Sequence, residues 1–178
     1  MKLIETRLEG PLLLEPTVHG DARGFFLETF RASVLEELGV REDWMQDNHS
    51  RSARGVLRGM HFQRGMAKLV RCASGSILDV LVDIRPDSPA FGEWEGYELD
   101  SERHRQLYVP DGFAHGFCVV SESADVIYKC SAYYDPEAES GFRFDDPEVG
   151  IEWPAGIEFA TSARDRGAPC LAELGLRG

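Results

Sequence analysis

Three observations in the sequence predict an all-β fold, a barrel or sandwich of short strands with little helix. Gly-, Pro- and Asp-rich punctuation recurs between short segments, in the manner of strands joined by turns. Period-two alternation runs through the eight residues from Ile77 to Ile84. Helical periodicity is confined to one short stretch, and no repeat, low-complexity tract or linker interrupts the chain. A chain of 178 residues fits one domain, 1–178, and at this size can bury a core without disulfide or metal staples.

Taken in order, the first element is a helix over Arg31 to Leu38, with Val34, Leu35 and Leu38 on one face and Gly39 as the stop. A short strand follows in Val56 to Gln63, where Arg58 and His61, three apart, should point to opposite faces. Gly59 between them predicts a bulge or kink that brings both side chains to one face. In Ile77 to Ile84, Leu78, Val80, Val82 and Ile84 share one side while Ile77, Asp79, Leu81 and Asp83 share the other, the pattern of a half-buried strand. Phe113 to Val120 puts His115 on the face of Phe113, Phe117 and Val119. Val126 to Tyr134 puts Tyr128 and Tyr134 on the face of Val126 and Cys130. If these faces line a barrel, a histidine and two tyrosines project into one interior.

Composition excludes several classes of partner. With 31 acidic and 19 basic residues the formal charge is −12, so there is no broad basic footprint for nucleic acid or an anionic membrane. An anionic ligand must be held by a local basic pocket. The sequence has no signal peptide or long apolar run, and Cys72, Cys118, Cys130 and Cys170 have no metal-ligand spacing. Reduced thiols in the cytoplasm are the simplest reading, three of them acting as small buried apolar groups in strands.

The chemistry concentrates in Gly55-Val56-Leu57-Arg58-Gly59-Met60-His61-Phe62-Gln63 with Lys68 close behind. A guanidinium can grip phosphate, an imidazole can take a proton near neutral pH, and an ammonium can stabilise an oxyanion. Together they suit proton transfer on an anionic carbonyl compound. Further motifs are Asp21-Ala22-Arg23-Gly24-Phe25-Phe26-Leu27-Glu28, Gln46-Asp47-Asn48-His49-Ser50, Pro110-Asp111-Gly112-Phe113-Ala114-His115-Gly116-Phe117 and Gly150-Ile151-Glu152-Trp153-Pro154. In this order and spacing, from about Leu14 to Pro169, the chain resembles the dTDP-4-dehydrorhamnose 3,5-epimerase family of cupin-like β-barrels.

That resemblance implies a cupin-type jelly roll with short peripheral helices, acting without a cofactor on a dTDP-4-keto-6-deoxyhexose as a cytoplasmic homodimer. It implies His61 as base, Lys68 as enolate stabiliser, Tyr128 as the acid on the opposite face, and Asp165 as the carboxylate that orients the base. It further implies Arg23, Arg58 and Arg164 as pyrophosphate contacts and Tyr134 as a stacking platform for the nucleobase. Glu28, Gln46, Asp47, Asn48, His115 and Glu139 are the remaining ligand contacts so implied, with Phe25 and Phe26 packed beside the pocket. Arg23 and Glu28 are expected to serve the cavity of a partner copy. Many cupins hold a divalent ion through a His-x-His pair, but His61-Phe62-Gln63 has Gln at the second position, which argues against a metal. The turn from Arg64 to Ala67 is shorter than in the typical pattern, a change that bears on the sugar pocket; related enzymes that epimerise only C3 or only C5 share almost all of these motifs, so inversion at one carbon, or ketoisomerisation, stays open. A non-catalytic sugar-nucleotide-binding cupin is the reading from another class.

Overall fold

The computed structural model describes residues 1–177 and is built from thirteen strands and two short helices. One antiparallel sheet has six strands in the order β1 (Lys2–Ile4), β2 (Leu12–Glu15), β10 (Gln106–Val109), β7 (Lys68–Ser74), β12 (Ser123–Cys130) and β5 (Gln46–Ala53). The facing antiparallel sheet has five, in the order β13 (Glu139–Gly141), β6 (Leu57–Gln63), β11 (Phe113–Val119), β8 (Ser76–Asp83) and β9 (Trp94–Asp100). The two sheets enclose a jelly-roll interior without joining into one closed ring among the described residues. A hairpin of β3 (Val18–Asp21) and β4 (Gly24–Leu27) pairs with neither sheet.

The principal core fills the space between the sheets. Val70 and Cys72 on β7, Val126 on β12, Leu107 and Val109 on β10 meet Ile77 and Leu81 on β8, Phe113 and Phe117 on β11, and Leu99 on β9. Alternation accounts for this, since each strand sends every second residue inward. The expected half-burial of Ile77 to Ile84 does not hold: β8 is central in its sheet, and its outer side is covered too. Val80, Val82 and Ile84 pack under Phe142, Val149 and Leu171 from the C-terminal segment. Period two therefore reads the faces correctly but cannot report that a distant segment covers the second one.

The predicted helix is α1 (Ala32–Glu37) and lies on the outer side of the six-stranded sheet, where Leu35 and Val40 meet Leu14, Leu69 and Tyr108. Leu38, expected on its apolar face, is the exposed C-cap, and Gly39 follows at φ +88°. The left-handed conformation favours glycine and stops the helix. Val40 takes the buried place beyond it. The apparent strand through Tyr134 ends earlier, at Cys130, so Tyr134 lies in a loop and its facing is no longer set by strand parity.

The bulge predicted at Gly59 is present. His61 pairs with His115 while Arg58 pairs with Phe117, so a three-residue step on β6 opposes a two-residue step on β11. The extra residue restores Arg58 and His61 to the same side of the sheet. Gly59 sits at φ +135°, and a Cβ there would lie 2.5 Å from Gly116 Cα. Two glycines thus let the backbones close on one another. Gly59→Ala is expected to destabilise the fold by about 2 kcal/mol or more, from the strained φ together with the clash. The midpoint of denaturant unfolding checks this, and an unchanged midpoint would show that the bulge relaxes freely.

Candidate active site

The inward faces of β5, β6, β7 and β12 carry polar side chains at one end of the interior, and this end opens as a cavity of about 290 Å³. Gln46 and Asn48 of β5, Gln63 of β6, Lys68 of β7, Tyr128 and Cys130 of β12 and Glu139 of β13 line it, with Phe62, Met66 and Tyr134. A larger groove of about 700 Å³ lies elsewhere, bordered by Glu93, Glu95 and Glu148. The guanidinium of Arg7, the one cation in that lining, is already paired with Glu93, while Glu95 accepts from the Arg7 backbone amide, which leaves no free counter-charge for a phosphorylated ligand.

His61 comes to the interior from the five-stranded sheet and Tyr128 from the six-stranded one, so the two approach from facing walls. Asp165 Oδ1 lies 2.7 Å from His61 Nε2. The carboxylate is 4% exposed and belongs to α2 (Ala163–Arg166), a single turn whose cap Ser162 accepts a hydrogen bond from the Asp165 amide at 3.0 Å. A buried carboxylate on one ring nitrogen fixes the tautomer and orients the ring. Arg58 reaches across to Ser52 of β5, its Nε and Nη2 donating at 3.3 and 3.2 Å. Its charge also acts on the Tyr128 phenol. Arg58 and His61 therefore face the interior that strand parity and the Gly59 bulge predict, although neither borders the cavity itself.

Burial, followed by the nearby Cys130 and Glu139, pushes the Tyr128 phenol above its ordinary pKa, and Arg58 only partly opposes this. Tyr128 thus keeps its proton through the neutral range. Burial pushes Lys68 the other way, toward the neutral amine, against Cys130, Glu139 and Asp79. The strand cysteines behave as apolar groups: burial moves Cys72 and Cys118 up to about 11 and raises Cys130 as well. All four cysteines are free.

At the cavity mouth Glu139 accepts from the Tyr134 hydroxyl at 3.1 Å and pairs with Arg164. Gln63 anchors the loop that carries Tyr134, donating to the Tyr133 carbonyl and accepting from the Asp135 amide, both at 3.0 Å. The side chain standing where many cupins have a second metal histidine is therefore a loop fastener here. Among the described residues no cluster of three or more His, Cys, Asp or Glu is arranged to hold a metal ion.

Several predicted contacts lie outside this arrangement. Asp47 is on the opposite face of β5 from Gln46 and Asn48, exposed, and paired with Lys129 at 3.0 Å. The period of the strand sends it outward. Arg23 stands on the free hairpin bound to Asp21, and Glu28 pairs with Arg31 at 2.6 Å; neither borders the cavity of its own chain. Phe25 and Phe26, expected beside the pocket, are 63% and 73% exposed, with Phe25 stacked on His104. His115 is buried, and its Nε2 lies 2.9 Å from Asp79 Oδ2. Asp79 is not among the contacts predicted from the sequence; its signal is a carboxylate set between Ile77 and Leu81 of the core.

The protein-family model for dTDP-4-dehydrorhamnose 3,5-epimerase matches residues 5–173. A Salmonella typhimurium protein named dTDP-4-dehydrorhamnose 3,5-epimerase is 49% identical over 175 residues, covering 96% of each chain. The crystal structure of a Legionella pneumophila dTDP-6-deoxy-D-glucose-3,5-epimerase in complex with dTDP-4-keto-L-rhamnose superposes with a TM-score of 0.94 at 45% identity, covering 99% of this chain and 98% of the other. A 3′-monoepimerase from Streptomyces bikiniensis in complex with dTDP-quinovose gives a TM-score of 0.92 at 38% identity, over 97% of this chain and 90% of that one.

Proposed function

The chain belongs to the dTDP-4-dehydrorhamnose 3,5-epimerase family, and from that premise we propose that it inverts C3 and C5 of dTDP-4-dehydro-6-deoxy-D-glucose, giving dTDP-4-dehydro-L-rhamnose. The observation that carries this reading is His61 paired at 2.7 Å with the buried Asp165 on one wall, with a proton-bearing Tyr128 on the facing wall. A non-catalytic binder has no use for a base and an acid on opposite sides of its ligand.

A ketone at C4 makes the C3 and C5 hydrogens acidic, because the carbanion left behind delocalises into an enolate. His61 takes the proton, with Asp165 stabilising the resulting imidazolium. The Lys68 ammonium stabilises the enolate oxygen. Tyr128 delivers a proton to the other face of the carbon, which inverts it. Arg58 and Arg164 offer guanidinium groups to the pyrophosphate, which is how a chain of net charge −12 can hold an anion locally. Gln46, Asn48, His115 and Glu139 are further contacts in this reading, and Tyr134 stacks on the nucleobase.

The reading includes a homodimer in the cytoplasm. An unpaired hairpin with exposed Phe25 and Phe26 supports it, as does the distance of Arg23 and Glu28 from their own chain's cavity. Among the described residues no helix is long and apolar enough to cross a membrane. A single-carbon epimerase is the second reading. It is favoured by the four-residue turn after β6, which sets Met66 into the cavity wall beside Lys68.

Incubation with dTDP-4-keto-6-deoxyglucose in deuterated water tests both. Deuterium is expected at C3 and C5, with equal rates in the presence and absence of a strong chelator. Label at one carbon alone selects the second reading. Absence of label overturns epimerisation altogether.

A further inference from the structure

β8 carries Asp79 into the interior on the side of Ile77 and Leu81, and the residue is fully enclosed. Its Oδ2 meets His115 Nε2 at 2.9 Å, but its Oδ1 is buried with no hydrogen-bond partner. An open acceptor on a buried carboxylate is costly unless positive charge faces it. Lys68, on β7 of the facing sheet, is the lysine on which the Asp79 charge acts, and it makes no ion pair of its own among the described residues. Burial drives the Lys68 ammonium toward the neutral amine, and the groups acting against this are Cys130 directly across the strand pair, Glu139 and Asp79. The first two are poor counter-charges. Cys130 is itself pushed up by burial and carries its proton at neutral pH, while Glu139 is engaged by Arg164 and Tyr134. Tyr128, also nearby on β12, remains a neutral phenol. Asp79 is the fully enclosed carboxylate of the three groups, and its Oδ1 has no partner at all, whereas Glu139 is tied through one oxygen to Arg164 and Tyr134 at the cavity mouth.

We propose that Asp79 is a positioning residue for the reaction: the buried counter-charge, fixed in place by His115, that keeps Lys68 in its ammonium form. The proposal rests on the reading of Lys68 as enolate stabiliser, because a neutral amine would lose the charge that holds the oxyanion.

Lys2, Lys68 and Lys129 are the only lysines of the chain, so a ¹³C-lysine NMR titration of the ligand-free protein resolves Lys68 directly. Asp79→Asn keeps the shape and an acceptor for His115 while removing the charge. Loss of a nearby negative charge disfavours the protonated amine, so the Lys68 midpoint is expected to fall by about one pH unit or more. The alkaline limb of turnover should fall with it. In a Lys68→Met background, Asp79→Asn should cost no further turnover, since the two act as a unit. Lys68→Met alone reads the same coupling from the other side, whether or not Asp79→Asn folds: the Asp79 carboxyl should titrate at higher pH in ¹³C-aspartate-labelled protein. A Lys68 midpoint unmoved by Asp79→Asn, or an Asp79 midpoint unmoved by Lys68→Met, overturns the proposal. A Lys68 midpoint that moves while turnover keeps its wild-type rate and alkaline limb upholds the charge pairing and overturns instead the role of Lys68 in the reaction.

Discussion

His61→Ala is expected to lower turnover by a factor on the order of 10²–10⁴, about 3–5 kcal/mol of transition-state stabilisation, the usual scale for loss of a general base. Deuterium exchange into substrate and inversion of the sugar should fall together, because both require the same first proton to leave. Folding is expected to survive. His61 belongs to no apolar cluster, and its side chain is 27% exposed, so its removal leaves little cavity. The partner left behind is a different matter: Asp165 is 4% exposed, and without the ring it becomes an uncompensated buried carboxylate, a modest cost of about 1–3 kcal/mol. Circular dichroism and thermal unfolding beside the kinetics separate the two effects. Exchange that continues at the wild-type rate in His61→Ala would move the base elsewhere.

Tyr128→Phe is expected to uncouple exchange from inversion. The enolate can still form, since His61, Asp165 and Lys68 are untouched. Without the phenolic proton, His61 returns a solvent-derived proton to the face it came from, so substrate is recovered carrying deuterium and with its configuration unchanged. Inversion should drop by about 10²-fold or more while exchange stays within about tenfold of the wild type. The raised pKa of the buried phenol fits this role, since Tyr128 holds its proton until the enolate takes it. Inversion by Tyr128→Phe at near the wild-type rate would rule it out as the acid. Tyr134, whose hydroxyl lies at the cavity mouth on Glu139, would be the next phenol to substitute.

Short-range features were legible because short-range physics causes them. Alternation in Ile77 to Ile84 follows from the pleat, and the face assignments of His115 and Tyr128 follow from the same rule. The Gly59 bulge was readable too. Two functional side chains three residues apart on one strand can share a face only if a residue is inserted between their partners, and glycine marks where. Parity failed where it was carried past the end of a strand, at Tyr134, whereas at Asp47 it sends outward a residue to which the resemblance alone gave a ligand role.

The site divides along the same line. Charge balance and the closeness in sequence of Arg58, His61 and Lys68 are properties of neighbouring residues, and they were enough to point to proton transfer on an anionic carbonyl compound, although Lys68 lies on β7 in the facing sheet. Asp165 meets His61 across 104 positions of chain, and Asp79 meets His115 across 36. No local pattern encodes either approach. Nor could alternation reveal that the C-terminal segment covers the outer side of β8, or that the Arg23 hairpin stands away from its own cavity. Those facts depend on which surfaces exclude water from one another once the sheets have closed, and burial of that kind is settled by the tertiary structure alone.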